Sequence, residues 1–282
     1  MSNAVPVERN GTALLLLIPG AAVIAVFVGA LGITAATSAF DAQGNWSFVQ
    51  YRRFLLDTFY LDALWRSFRI AAYCTPITLL LGYPFAYVMA RSSPPIRLTL
   101  TLILVVQFFT SYIVRTYALI LVLGKNGIIN GTLVSLGLIE RPLPLLFREA
   151  GVAIALVLVP LPFMIFPIYS VLKNIESNLE VAAASLGASR FKTFWCVTLP
   201  LSMPGVVAGV VLVFLFDLTA YIMPGMLGGG YFNMIANVIQ EQAMAVLDKR
   251  FAAAISIILL TITLLVLYVI HVLGSRMHRD TA

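Results

Sequence analysis

Residues 180–200 read EVAAASLGASRFKTFWCVTLP. The stretch is half polar and rich in alanine, and it closes on Leu199-Pro200. Strongly apolar segments flank it at 149–172 and 201–224. Just upstream, Ser177-Asn178-Leu179-Glu180 has the S-x-x-E form of a capping box, so a helix is expected to start there. Ala182, Ala183 and Ala184 sustain that helix and give it a small-residue face. Gly187 suits its end, because glycine takes a left-handed backbone at little cost. Ser189 is placed to cap a second short helix. In that helix Arg190 and Lys192 alternate with Phe191, Phe194 and Trp195, as at a membrane interface. Pro200 either ends the second helix or starts the next apolar segment. Two readings are open here. The segment offers small residues to another protein surface, or it is an interfacial helix that only leads back into the bilayer.

The surrounding chain is built for lipid. Of its 282 residues, 61% are hydrophobic and 11% charged, and its mean hydropathy is +0.98. A soluble domain carries about 25% charged residues. A helical span needs about 20 apolar residues, and six stretches qualify: 13–36, 66–89, 98–123, 149–172, 201–224 and 251–274. Their apolar character is continuous rather than alternating, which specifies helices and not barrel strands. The expected fold class is an all-α membrane protein of about six transmembrane helices. One membrane domain covers 13–274, with short ends at 1–12 and 275–282. The 13–36 run exceeds the roughly 7–15 apolar residues of a cleavable signal and is expected to stay attached. Pro76, Pro84, Pro160, Pro162, Pro167 and Pro224 lie in or beside spans, and Pro160-Leu-Pro162 predicts a bent helix in a bundle. Gly205-Val-Val-Ala-Gly209 lets another helix approach closely. Packing inside the bundle is preferred there over a dimer motif.

Six spans place both ends of the chain on one side, together with the Arg91–Arg97 turn and the 173–200 loop. Connections 37–65, 124–148 and 225–250 lie opposite. The side with the ends carries eight Lys and Arg against ten, over shorter segments; the count alone does not decide, and this side is assigned to the cytoplasm. The net charge of +6 is read as topology and headgroup contact. No basic patch with interleaved aromatics supports nucleic-acid binding.

Little in the chain points to chemistry. Cys74 and Cys196 share no motif, and buried or inert thiols are expected. His271 and His278 have no acidic or cysteine cluster near them, which argues against a metal enzyme. Gly124-Lys125 lacks the rest of a phosphate loop. Gly228-Gly229-Gly230 is read as a flexible outer loop rather than an anion cradle. Asp217 inside the fifth span stands out, because an isolated carboxylate in lipid is costly and should face the bundle interior. It either attracts a cationic substrate or pairs with Arg69 or Arg115, and pairing is preferred. Tyr221, one turn on, is expected to share its face. Arg69 and Arg115 otherwise snorkel to the outer interface.

Residues 180–200 resemble the EAA loop of the permeases of ATP-binding cassette importers. That pattern runs E-A-A, three residues, Gly, and later Leu-Pro. Ala182-Ala183, Gly187 and Leu199-Pro200 fall at this spacing. Pro204-Gly205, Pro224 near Gly228-Gly229, and Arg115-Thr-Tyr-Ala118 add to the likeness, which runs over roughly residues 50–275 and is strongest to permeases of the spermidine/putrescine type. One position departs: Val181 stands where the motif has Glu, and Glu180 comes one residue earlier. The resemblance implies a type I permease bundle in the bacterial inner membrane, with both termini cytoplasmic. It implies import of a small organic solute such as a polyamine. Glu180, Ala182, Ala183, Gly187, Leu199 and Pro200 would form the ATPase-coupling loop. Asp217, Tyr221, Arg69 and Arg115 are the pathway candidates. Implied partners are ATPase subunits, a second permease subunit of a different chain and an extracytoplasmic solute-binding protein. No cofactor is expected in this chain, with ATP and Mg on the ATPase. The alternative is a self-sufficient secondary transporter or channel. An integral membrane enzyme would need a polar constellation that the sequence lacks.

Overall fold

The computed structural model describes residues 11–40, 43–230 and 232–279. Among these, all regular structure is helical apart from one bridge between Phe40 and Trp46. The core is α3 (Thr58–Arg91), α8 (Leu161–Asn174) and α11 (Leu199–Leu218), which pack on one another more extensively than any other elements. α1 (Gly11–Ser38) lies along α14 (Lys249–Arg279), with most of its surface outside the bundle.

Glycine lets the core helices meet. Met164 of α8 is fully buried between α3 and α11. A Cβ at Gly82 would lie 2.9 Å from its Cγ, and one at Gly209 would lie 2.8 Å from its Sδ. A Cβ at Gly205 would lie 2.8 Å from the Pro167 carbonyl oxygen. The Gly205–Gly209 pair therefore packs within the chain. Close contact matters here because lipid tails give helices no hydrophobic reason to associate. Gly209→Leu is expected to destabilise the bundle by about 1–3 kcal/mol through overpacking. Gly29→Leu is the control, since nothing lies within 4 Å of Gly29. Thermal unfolding in detergent tests this: equal midpoints for both variants would mean that α8 and α11 part without cost.

Among the described residues, six helical stretches are long and apolar enough to cross a membrane: 18–38, 58–91, 112–135, 149–174, 190–218 and 249–270. All six overlap the expected spans, the third only over 112–123. The third differs from the uninterrupted helix expected at 98–123. The chain there forms α4 (Pro94–Phe109) and α5 (Tyr112–Leu123), separated by extended backbone at Thr110 and Ser111. Leu104 of α4 packs in the cluster around Met164, whereas Leu123 of α5 packs in the cluster around Leu156 and Met223. The expected third span is thus divided end to end between α4 and α5. Hydroxyl side chains compete with the helix ladder, and Thr110 turns its Oγ back to the Val106 carbonyl at 2.6 Å. α6 (Ile128–Ser135) then lies within the 124–148 connection.

α7 (Glu149–Leu158) and α8 form the bent helix that Pro160-Leu-Pro162 predicts. Pro162 has no N–H for the Leu158 carbonyl four residues back. The Gln107 amide of α4 donates to that carbonyl instead, at 2.8 Å. The two ends of the bundle are also tied. At one, Arg91 meets Glu180. At the other, Arg53 meets Asp248 at 2.9 Å, and Arg66 donates to the Asn233 carbonyl at 3.2 Å. Buried Asn130 staples the 124–148 connection by bonding Gly124 and Leu143.

The glycine triplet differs from its expected flexibility. A Cβ at Gly228 would lie 2.4 Å from the Pro224 carbonyl oxygen, and one at Gly229 would lie 2.3 Å from the Phe147 ring. Phe147, itself at φ 59°, donates its N–H to the Leu227 carbonyl at 2.8 Å. Gly228 and Gly229 are there to let this corner close.

Candidate functional site

The loop of residues 173–200 holds α9 (Ser177–Ser185), α10 (Arg190–Thr193) and a π-helical turn at Phe194–Thr198 that runs into α11. The side chains of Ser177, Val181 and Ala184, and with them the expected capping box, lie outside the described residues. α9 ends in a Schellman motif: the Ala188 N–H reaches the Ala183 carbonyl at 3.0 Å, with Gly187 left-handed at φ +84°. Open space surrounds the Gly187 Cα, so its backbone angle, not crowding, calls for glycine. Ser189 caps α10 by accepting from the Lys192 N–H at 3.3 Å.

Pro200 neither stops a helix nor begins one. Helical backbone runs through it from Arg190 to Leu218. Because Pro200 has no N–H and its ring crowds the carbonyl four residues back, the ladder shifts by one. The Leu199 N–H bonds Phe194, five residues away, which is the π turn. The Leu-Pro pair of the motif thus re-aims the helix where loop becomes span.

Glu180 of α9 faces inward. Its Oε1 accepts from Arg91 at the end of α3 at 2.5 Å, and from the Thr198 hydroxyl at 3.0 Å. Phe194 also turns inward, edge-on to Tyr83 and Tyr87 of α3 at 5.6 and 6.1 Å. The outer face of the loop is different. Leu186, Phe191 and Trp195 are exposed. A groove of about 240 Å³ lies among Ala183, Leu186, Gly187, Lys192 and Cys196.

A second concavity, of about 200 Å³, lies at the far end of α11. Tyr112, Phe216, Thr219, Tyr221 and Met223 line it. Tyr112 and Phe216 stack at 5.9 Å between ring centres. The Arg115 guanidinium lies 5.1 Å over the Tyr112 ring, and its Nη2 donates to the Thr110 carbonyl, bracing the break between α4 and α5. Asp217 is 0% exposed, and neither of its carboxylate oxygens has a hydrogen-bond partner.

The preferred pairing of Asp217 with Arg69 or Arg115 is therefore corrected. Arg69 binds Glu149 at 2.5 Å, and Tyr73 donates to the same carboxylate at 2.9 Å. Glu149, eighty residues from Arg69, carried no local signal of this role. Tyr221 does not share the Asp217 face either, because α11 ends at Leu218. Tyr221 begins the turn into α12 (Ile222–Leu227), and its carbonyl accepts from Asn237 at 2.6 Å. The cleft thus gathers Tyr221 and, through Tyr112, Arg115. Asp217 follows the lining residue Phe216 in the chain but is buried and does not line the cleft, and Arg69 is engaged elsewhere.

A helical bundle that spans the membrane, with a structured half-polar loop at one end and an aromatic cleft toward the other, defines a membrane transport subunit. Residues 58–279 match the family described as binding-protein-dependent transport system inner membrane component, and the chain belongs to that family. The chain is 35% identical over 225 residues to the Haemophilus influenzae spermidine/putrescine transport system permease protein PotB, covering 80% of this chain and 79% of that one. It is 37% identical over 223 residues to the Escherichia coli PotB, covering 79% and 81%. Its fold is similar to that of a bacterial ABC transporter involved in import of the acidic polysaccharide alginate. There the TM-score is 0.72 at 16% identity, covering 94% of this chain and 95% of that one. The protein is a multi-pass inner-membrane permease subunit of an ATP-binding cassette importer, and a transport component rather than an enzyme.

Proposed function

We propose that this permease carries a small organic cation of the polyamine class, delivered by an extracytoplasmic binding protein. The observation that carries this reading is the aromatic cleft of Tyr112, Phe216 and Tyr221, and the buried, unpartnered carboxylate of Asp217 on the same end of α11 adds to it. Aromatic faces attract ammonium groups, and a buried carboxylate without a partner gains most when a cation arrives. The PotB proteins of Haemophilus influenzae and Escherichia coli, similar over about four-fifths of the chain, are named for spermidine and putrescine transport, which supports the same class.

ATPase subunits hold the 173–200 loop at its exposed Leu186, Phe191 and Trp195 and at the groove around Gly187. ATP and Mg act there, on the partner. Both ends of the chain, expected at 1–12 and 275–282, face the cytoplasm on the same side as this loop; residues 1–10 and 280–282 lie outside the described residues. The Arg91–Glu180 contact supports the shared side of the loop and the Arg91–Arg97 turn. A second permease subunit of a different chain completes the pathway, and the connections at the opposite end receive the binding protein. The test is a reconstituted complex in liposomes. ATP hydrolysis is expected to rise with polyamine-loaded binding protein and to accompany uptake. Uptake by this chain alone, without ATP, would instead establish a self-sufficient transporter.

A further inference from the structure

We infer that Glu180 and Arg91 form a latch that carries the motion of α9 directly into α3. This rests on the reading that α9 is held by an ATPase. In the motif that the loop resembles, a Glu occupies position 181, where this chain has Val. Glu180 does not replace it on the outer face. Its carboxylate is three-quarters buried and turned to Arg91 and Thr198. One carboxylate thus joins three elements: α9, the end of α3 and the π turn that opens α11.

The geometry favours these charges at these places. Glu180 lies in the first turn of α9 and Arg91 in the last turn of α3. An anion is favoured at a helix N-terminus and a cation at a C-terminus, so each charge complements its own helix as well as its partner. Phe194, set between Tyr83 and Tyr87, provides a second anchor on the same end of α3. The Tyr83 hydroxyl in turn meets Ser202 of α11 at 2.9 Å. The chain joins α9 to α8 through 174–177 and to α10 through Gly187, and α9 also packs on α10 and the π turn; the latch adds a direct tie to α3. Gly187 is a hinge with open space around it. Without that tie, part of a force applied to α9 would be taken up by rotation at the hinge before it reached α3. With the latch, α9, α3 and the start of α11 move as one body, and α3 carries the movement through the full thickness of the bundle.

The test is a double-mutant cycle on the complete importer, read as substrate taken up per ATP hydrolysed. Arg91→Gln and Glu180→Gln are each expected to lower this ratio about fivefold, the low end for coupling between sites because the pair is partly exposed. The double variant is expected to fall no further, since both changes break one interaction. Arg91→Glu with Glu180→Arg should recover part of the ratio but not all, because the swapped charges oppose both helix termini. Additive losses, or an unchanged ratio in Arg91→Gln, would overturn the latch. So would loss of ATPase attachment in Glu180→Gln alone, which would make Glu180 a direct ATPase contact. The underlying reading has its own measurement. In a Cys196→Ser background, Leu186→Cys is expected to crosslink to the ATPase. A crosslink with additive losses removes the latch and leaves the loop reading standing. No crosslink removes the loop reading and the latch with it.

Discussion

Gly187→Val is expected to strip the ATPase from this permease, while Gly187→Asn retains it. The residue is left-handed at φ +84°. A non-glycine residue held in that region costs on the order of 1–3 kcal/mol, and a β-branched one sits at the upper end. Every 1.4 kcal/mol is about tenfold in an equilibrium. Valine is therefore expected to lower ATPase co-purification by about tenfold to a hundredfold, as the Schellman turn opens and α9 leaves its place beside α10. Asparagine visits this backbone region routinely, and the open space around the residue accommodates its side chain. Thermal unfolding of the isolated permease should be nearly unchanged in both variants, since a Cβ at Gly187 would meet nothing within 4 Å. Equal attachment for valine and wild type would show that the turn is dispensable. Equal loss for asparagine and valine would show that the ATPase needs the bare glycine surface rather than the backbone angle.

Asp217→Asn is expected to move stability and transport in opposite directions. The wild-type carboxylate is buried with both oxygens unpaired, a state that costs free energy in the absence of a cation. The amide relieves that cost, so the variant should unfold at the same temperature as wild type or higher. Hydrogen bonds to charged groups contribute about 1.5–3 kcal/mol. Loss of such a contact with an ammonium group should reduce polyamine uptake about tenfold to a hundredfold at subsaturating substrate. A purely structural carboxylate would show the reverse, with a lower melting point and unaltered uptake. Measuring both in one preparation separates the two roles. Unchanged uptake kinetics would remove Asp217 from the pathway.

These two residues differ in how far the sequence led to them. Gly187 was legible because its signal is local: an alanine-rich helix, a glycine at the terminating position, and a serine two residues on. Span existence was legible for the same kind of reason. Twenty continuous apolar residues have few options in lipid, since every backbone group must be bonded within the segment. The bend at Pro160-Pro162 follows from a missing N–H that any chain would lack there. Asp217 was legible as an anomaly, a carboxylate in an apolar run, but not in its surroundings. The preferred arginine pairing assumed that opposite charges near one membrane face find each other. Arg69 found Glu149, and Arg115 turned to the backbone at Thr110.

What the sequence by itself determined is the class: an all-helical inner-membrane chain, the positions of most of its crossings, and a loop with the spacing of the family to which it belongs. Only the tertiary structure decided the break in the third crossing at Thr110-Ser111. It also decided the wedge of Met164 between Gly82 and Gly209, the donation of Gln107 to Leu158, and the inward turn of Glu180 onto Arg91, eighty-nine residues away. The physical reason is common to the last three. α11 is apolar nearly all round, and its hydrophobic pattern does not say which side meets a neighbour. That choice is made by close contact and by the need of each buried polar group for a partner, and both depend on residues far apart in the chain.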